Sequence, residues 1–463
     1  MFDRKRYHQF IAQKGIVAES VGFKSDTLPD RLFDHQRSAV EFALGKGKAA
    51  LFLDTGLGKS GCEAVFADQC RIETRKPSLI LTPLAVARQM KRECEAFGVA
   101  AEIIKADGDS DCGVQIANYE RLKNLDVSRY GAVVLDESSI LKSFMGQTKR
   151  ALVEAFAKTP YRLAATATPA PNDHMELGNH AEFLGVMGSM EMLCRWFIND
   201  TQTASQDWRL KGHAKDDFWA WVSSWARAAS LPSDLGGCDD GFILPSLNIH
   251  ERIVDVDLTD GEFDGLFRTP DQSATAIHRE KQNTLQERVK AAAEIANAHD
   301  GHAIVWCERD DESAALTEAI SGAVEIKGSM PLDKKEAALD DFAMGRTRVM
   351  VSKPKLAGFG LNLQHADCQV FASISHSYEQ WYQAIRRSWR FGQTKEVDCH
   401  IVMAETETGI WRNVQRKAAD HDRMKVAMTK AMLGGQAESK RRAYGRSSKI
   451  ELPDFMKGAS NAA

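Results

Sequence analysis

Residues 51 to 60, LFLDTGLGKS, run from apolar side chains through two glycines into Lys59 and Ser60. A strand ending near Leu53 would deliver a loop, Thr55, Gly56, Leu57 and Gly58, whose backbone N–H groups wrap phosphate oxygens. Lys59 adds a point charge there. Ser60 opens the next helix and offers a hydroxyl to Mg²⁺, while the helix N-terminus turns its positive dipole toward the anion. The stretch departs from the full G-x-x-x-x-G-K-[ST] pattern because Leu53 stands where the first glycine belongs, so it needs a partner carboxylate to carry the reading. Ala132 to Leu135 run straight into Asp136 and Glu137, at the carboxyl end of a second apolar run, where ligands of α/β sheets bind. Asp136 can hold the Mg²⁺ shell, and Glu137 can orient and deprotonate water for attack on the γ-phosphate of ATP. Alone, such a pair is as easily a solvated loop. Beside the glycine loop of the same α/β half, it predicts ATP hydrolysis.

The elements that position these residues follow from the apolar runs. AALFLDT near 49, SLILTP near 78, AVVLDES near 132 and YRLAATATP near 161 alternate with helical patterns, as buried parallel strands do. A second series, HAIVWC, RVMVS, CQVFAS and CHIVMA, begins at 302, 348, 368 and 399, with a helical spacer at 331 to 344. Between the two halves lie five of the nine tryptophans, at helix-compatible spacing such as Phe218, Trp221 and Trp225, which predicts a helical insert with a packed core. SLPSDLGGCDDG, 230 to 241, reads as a hinge.

With 463 residues, two or three domains are expected. The net charge of −4 leaves any nucleic-acid contact to local basic strips. Nine scattered cysteines, with no C-x-x-C pair, argue against a disulfide framework and a zinc site. No apolar stretch approaches a membrane span and the N-terminus carries no signal pattern, so a cytoplasmic protein is expected.

Placed together, these motifs resemble superfamily 2 helicases, and among them the Swi/Snf-type DNA translocases. FDHQRSAVEF, 33 to 42, is similar to the family's nucleotide-sensing segment, which implies that Gln36 reads the adenine edge. LTPLAVARQMKRE, 81 to 93, and IANYERL, 116 to 122, resemble its strand-gripping motifs, implying phosphate contacts at Thr82 and Asn118. TATPAPN, 166 to 172, resembles the coupling segment, with Thr166 and Thr168 shared. AGFGLNLQHAD, 357 to 367, and QAIRRSWRFGQ, 383 to 393, match the fifth and sixth motifs, which brings Gly360 and Gln383 to the nucleotide. On a helix, Arg387 and Arg390 are three apart and share a face, so both guanidinium groups reach one phosphate while Arg386 points elsewhere. One departure stands out. Ser139 occupies the fourth position of the D-E-x-H box, where the family has the histidine that couples hydrolysis to movement.

The expected fold is α/β, with two RecA-like parallel-sheet lobes in tandem: an ATP-binding lobe at 1–172, a helical insert and linker at 173–245, a second lobe at 246–425 and a basic tail at 426–463. The expected activity is ATP-dependent movement along DNA with Mg²⁺, gripping phosphates near Thr82, Asn118, Ser352 and Lys353, largely independent of sequence. A protein partner would use the insert or the tail. The compact single-motor layout is similar to viral and prophage-encoded members, placing the chain in a bacterial or virus-infected bacterial cell. Two rival readings are a viral packaging-type motor and a nucleotide-switched interaction protein that does not translocate.

Overall fold

The computed structural model describes residues 16–143, 146–200, 207–254, 281–359, 363–434 and 442–443. The apolar runs of the first half become β1 (Lys48–Leu53), β2 (Ser78–Thr82), β5 (Ala132–Asp136) and β6 (Tyr161–Ala165). Three strands that the sequence pattern did not announce join them: β3 (Ala101–Ile103), β4 (Val114–Asn118) and β7 (Ala226–Ala229). The order is β7-β1-β6-β5-β2-β4-β3. Every pairing is parallel.

Around this sheet lie α1 (Asp34–Lys46), α2 (Lys59–Thr74), α3 (Ala87–Ala96), α4 (Gln147–Ala155), α5 (Leu177–Leu184), α6 (Ser189–Trp196) and α7 (Lys215–Ser223). The two-residue period of the strands sorts their side chains between two cores. Leu51, Leu53, Ile80 and Val134 face Val40, Val65 and Phe66 of α1 and α2. Phe52, Leu79, Val133 and Leu135 face Leu152, Leu177 and Trp221.

The second half repeats the plan with β8 (Leu247–Val254), β9 (His302–Trp306), β10 (Ala323–Ile326), β11 (Val349–Ser352), β12 (Ala366–Phe371) and β13 (Val397–Ala404), in the order β8-β13-β12-β9-β11-β10. All are parallel. Its helices are α8 (Leu285–Ala298), α9 (Asp310–Ala319), α10 (Leu332–Ala343), α11 (Tyr378–Ile385) and α12 (Thr408–Leu433). The architecture is therefore two α/β lobes in tandem. No helix among the described residues is long and apolar enough to cross a membrane.

Two of the expected boundaries move. The segment from 173 is not a separate insert: Ala226–Ala229 pairs with β1 as the edge strand of the first sheet, and Trp196, Trp221 and Trp225 are buried in the same core as Phe52 and Val133. Truncating one of those indoles to alanine is expected to cost about 3–5 kcal/mol. The boundary at 425 also disappears, because α12 runs through it without a break. Ile410, Trp411 and Val414 at its start belong to the core of the second lobe, whereas Met424 and Met428 belong to that of the first. A helix of 26 residues spans about 39 Å, enough to tie one lobe to the other. The basic tail beyond 434, apart from the Arg442–Ala443 pair, lies outside the described residues, as does Gly360.

Candidate nucleotide site between the lobes

β1 ends at Leu53 and the chain turns through Asp54, Thr55, Gly56, Leu57 and Gly58 before Lys59 opens α2. Both glycines hold positive φ, 103° at Gly56 and 73° at Gly58, which L side chains rarely adopt. Space enforces the same choice. A Cβ on Gly58 would sit 1.9 Å from Gln36 Nε2, and one on Gly56 would sit 3.0 Å from Phe391 Cβ of the opposite lobe. Gln36 is buried beneath the loop, where its Nε2 donates to Leu57 O at 3.2 Å and its Oε1 accepts from Phe33 N at 3.1 Å. Its side chain therefore props the loop as well as standing where the resemblance puts an adenine reader.

The carboxylates arrive from β5. Asp136 is the last residue of that strand and Glu137 follows in the left-handed region, φ 52° and ψ 54°, a conformation uncommon outside glycine. That turn is braced. Tyr119 donates its hydroxyl to Asp136 O at 2.6 Å, and Ser138 Oγ meets His180 Nε2 of α5 at 3.1 Å. Glu137 Oε1 lies 3.5 Å from Lys59 Nζ, and Glu137 Oε2 accepts from Thr166 Oγ1 at 3.2 Å. Thr82 Oγ1 donates to Asp136 Oδ2 at 3.2 Å. Burial and the neighbouring Glu137 charge push Asp136 up to about 6, against the pull of Lys59 and the Thr82 hydrogen bond. A third carboxyl, Glu63, is fully buried with both oxygens unpaired, and burial and Asp136 hold its pKa well above the ordinary value.

The carboxyl oxygens of Asp136 and Glu137 beside one lysine, with a serine hydroxyl at the second position of the helix, are hard-oxygen groups of the kind that suit Mg²⁺. Asp136 at the end of β5 and Ser60 at the second position of α2 are the residues that would offer such oxygens.

The coupling segment touches both lobes. Thr166 reaches Glu137, its Oγ1 also accepting from Thr168 N at 3.1 Å, while Ala167 is packed into the hydrophobic core of the second lobe. Ser139, where the resemblance expects a histidine, turns its hydroxyl back to Glu137 O at 3.5 Å.

From the second lobe, α11 stops at Ile385, so the arginines of QAIRRSWRFGQ follow the helix in a run of turns instead of sharing one of its faces. The cause lies in what holds that run. Leu363 N donates to Arg387 O at 2.9 Å, and Gln393 Nε2 donates to the carbonyls of Gln364 at 2.7 Å and Ser388 at 3.3 Å. Arg387 feels the charges of Glu137 and Asp136 across the cleft, but burial outweighs them and lowers its pKa to about 10. Arg390 is also lowered by burial and faces Glu93 of α3. The Nε atoms of Arg386, Arg387 and Arg390 are buried without a hydrogen-bond partner. Arg386 does not point away: its guanidinium lies 3.8 Å from Asp54 Oδ2, at the root of the glycine loop. Gln383 is half-buried on α11.

The expected phosphate grips divide. Thr82 is 0% exposed and spends its hydroxyl on Asp136, so it belongs to the nucleotide site and not to a surface. Ser352, 3% exposed, turns its hydroxyl inward to Ile326 O at 2.9 Å. Lys353 pairs with Asp310 at 2.7 Å. Asn118 ends β4 with a buried Oδ1 that has no partner.

Sequence spacing had no means of showing Asp54, Tyr382 and Lys425 as one cluster. Tyr382 donates its hydroxyl to Asp54 Oδ1 at 2.9 Å, and the Lys425 ammonium of α12 bonds the same oxygen. Phe33, His35, Phe242 and Phe391 form a contiguous aromatic group beside Gln36, which spacing along the chain did not reveal.

Residues 280–392 match the family model described as the helicase conserved C-terminal domain. The chain is 24% identical to putative protein p41 of Acyrthosiphon pisum secondary endosymbiont phage 1, over 81% of this chain and 91% of that protein. It is 23% identical to the DNA annealing helicase and endonuclease ZRANB3 of Bos taurus, over 94% of this chain and 44% of that protein's length. Among solved structures, S. cerevisiae Dbp5 bound to RNA and ADP BeF3 shares the fold with a TM-score of 0.53 at 12% identity, covering 87% of this chain and 94% of that one. The fold is thus that of tandem RecA-like lobes.

Proposed function

We propose that this chain is an ATP-dependent DNA translocase of the Swi/Snf type, hydrolysing ATP in the cleft between its lobes and moving along the phosphate backbone. The observation that carries the reading is that Lys59 lies 3.5 Å from Glu137 in one lobe, while Arg387 of the other is buried within range of the Glu137 and Asp136 charges. The N–H groups of the glycine loop and Lys59 bind the phosphates. Glu137 orients the attacking water and takes its proton, and the left-handed turn that Ser138 and His180 brace fixes its carboxylate. Arg387 stabilises charge developing on the transferred phosphoryl group. Mg²⁺ held by Ser60 and Asp136 would neutralise the phosphate oxygens.

Coupling passes through Thr166, on the water-orienting carboxylate, to Ala167 in the second lobe's core, so the missing histidine at position 139 is bypassed. DNA as the track is favoured by the resemblance to the bovine DNA annealing helicase, and a viral or prophage origin by the resemblance to the phage protein. The protein would then act in the bacterial cytoplasm. Asn118 is the remaining first-lobe candidate for a backbone contact.

The test is steady-state ATPase with no polymer, single-stranded DNA, duplex DNA and RNA, together with Lys59→Ala and Glu137→Gln. Stimulation by DNA, abolished in both variants while Glu137→Gln still binds ATP, is the expected result. Turnover that ignores every polymer but rises with a protein partner would replace translocation with a nucleotide switch, and metal-dependent DNA cleavage would favour a packaging-type motor.

A further inference from the structure

We infer that Lys425 is a positioning residue for the phosphate loop, acting through Asp54, so that the helix following the second lobe sets the geometry of the nucleotide site in the first. This rests on the proposed ATPase reading. Asp54 is the residue between β1 and the glycine loop, is 5% exposed, and its N–H is tied to Ala229 O at 3.0 Å. Its carboxylate gathers three partners from two parts of the chain: Tyr382 of α11 and Arg386 of the sixth motif, and Lys425 of α12.

Those partners do not belong to one body. Tyr382 and Arg386 are anchored in or beside the core of the second lobe. The end of α12 that carries Lys425 sits on the first lobe through Met424 and Met428, and Met432 Sδ accepts from Ala228 N at 3.3 Å. Rotation of the lobes away from each other would withdraw Tyr382 and Arg386 while Lys425 stays. Lys425 therefore keeps Asp54 ionised and oriented in either arrangement, and Tyr382 adds its hydrogen bond and Arg386 its charge only when the cleft is shut. Burial alone would raise the Asp54 pKa, but the Lys425 and Arg386 charges and the two hydrogen bonds hold it at about 2. His421, one turn before Lys425, is buried against Tyr378 and Tyr382 and is kept neutral by burial, so it does not compete for the carboxylate. Residues 408–433 lie beyond the matched helicase segment, which ends at 392.

The experiment measures three things on the full chain: amide exchange of residues 54 to 58 without nucleotide, the melting temperature, and kcat and KM for ATP. Lys425→Met is expected to speed exchange of the loop and to lower kcat by about 10- to 100-fold, as a displacement of about 1 Å at a reacting centre does. The double variant Asp54→Asn with Lys425→Met removes the unpaired buried charge, so its melting temperature should recover while kcat stays low. Recovery of kcat along with melting would overturn the inference, because it would make the pair purely structural. Unchanged loop exchange in Lys425→Met would overturn it too, and that arm decides even if the wild-type chain hydrolyses no ATP.

Discussion

Replacing Gly58 by alanine should damage the nucleotide site through two additive effects. At φ 73° an L residue pays the left-handed penalty of about 1–2 kcal/mol. The new methyl would stand 1.9 Å from Gln36 Nε2 and 3.1 Å from its Cδ, so the amide must leave its buried slot and give up its bonds to Leu57 O and Phe33 N. At about 0.5–1.5 kcal/mol for each bond, the total is about 2–5 kcal/mol. The glycine loop moves with it, so on the proposed reading affinity for ATP falls as well as stability. Gly45 of α1 is an internal control: it is helical, with nothing within 4 Å of the place a methyl would take, so Gly45→Ala should be neutral or stabilise by up to about 1 kcal/mol. Urea unfolding and binding of a fluorescent ATP analogue on both variants provide the assay. A Gly58→Ala protein with wild-type midpoint and affinity would refute the reasoning, since the loop would then have room that the geometry denies it.

Three further outcomes are expected. His180→Ala leaves the Ser138 hydroxyl buried and unpaired, costing about 1–3 kcal/mol, and should lower kcat more than it raises KM because the Glu137 turn loses its brace; equal effects on both in initial-rate measurements would count against it. Asp54 is held at about 2 against an ordinary 3.8. A depressed carboxyl contributes stability that is complete above its unfolded value and fades as pH falls through its folded value, so about 2 kcal/mol should be lost between roughly pH 4 and pH 2, a loss absent in Asp54→Asn when unfolding is followed against pH. Thr166→Val should leave ATP binding intact while uncoupling turnover from movement, read as ATP consumed per triplex strand displaced.

The strands that carry chemistry were legible because each is a short apolar run buried on both faces, as at Leu51 to Leu53 and Ala132 to Leu135. Of the strands that escaped notice, β3, β7 and β10 have three or four residues, too few for periodicity to declare itself, whereas β4 and β8, of five and eight residues, mix polar with apolar side chains instead of forming an apolar run. The tryptophan-rich segment was read as a core but assigned to the wrong body, since helical spacing reports that a face is buried and not what buries it. Lys59, Asp136 and Glu137 were marked by local pattern and Gln36 only by the family resemblance, and they converge around one loop. Thr82 and Ser352 were not, because a hydroxyl at a strand end looks the same in sequence whether it meets solvent or a buried partner. The link of Asp54 to Lys425 joins residues 371 apart, and no local signal marks it. The placement of Arg386 was missed for a related reason: the helix ends one residue before it, and the turns that follow redirect each side chain.

ATP turnover by Arg387→Ala, with saturating duplex DNA and without it, tests the composite site most directly. The account predicts that DNA stimulates the wild-type chain and that the variant loses about 10³-fold or more of that stimulated rate while still binding ATP, as removal of an arginine finger does. Stimulated turnover in Arg387→Ala equal to that of the wild type would contradict it, for catalysis would then be complete within the first lobe alone.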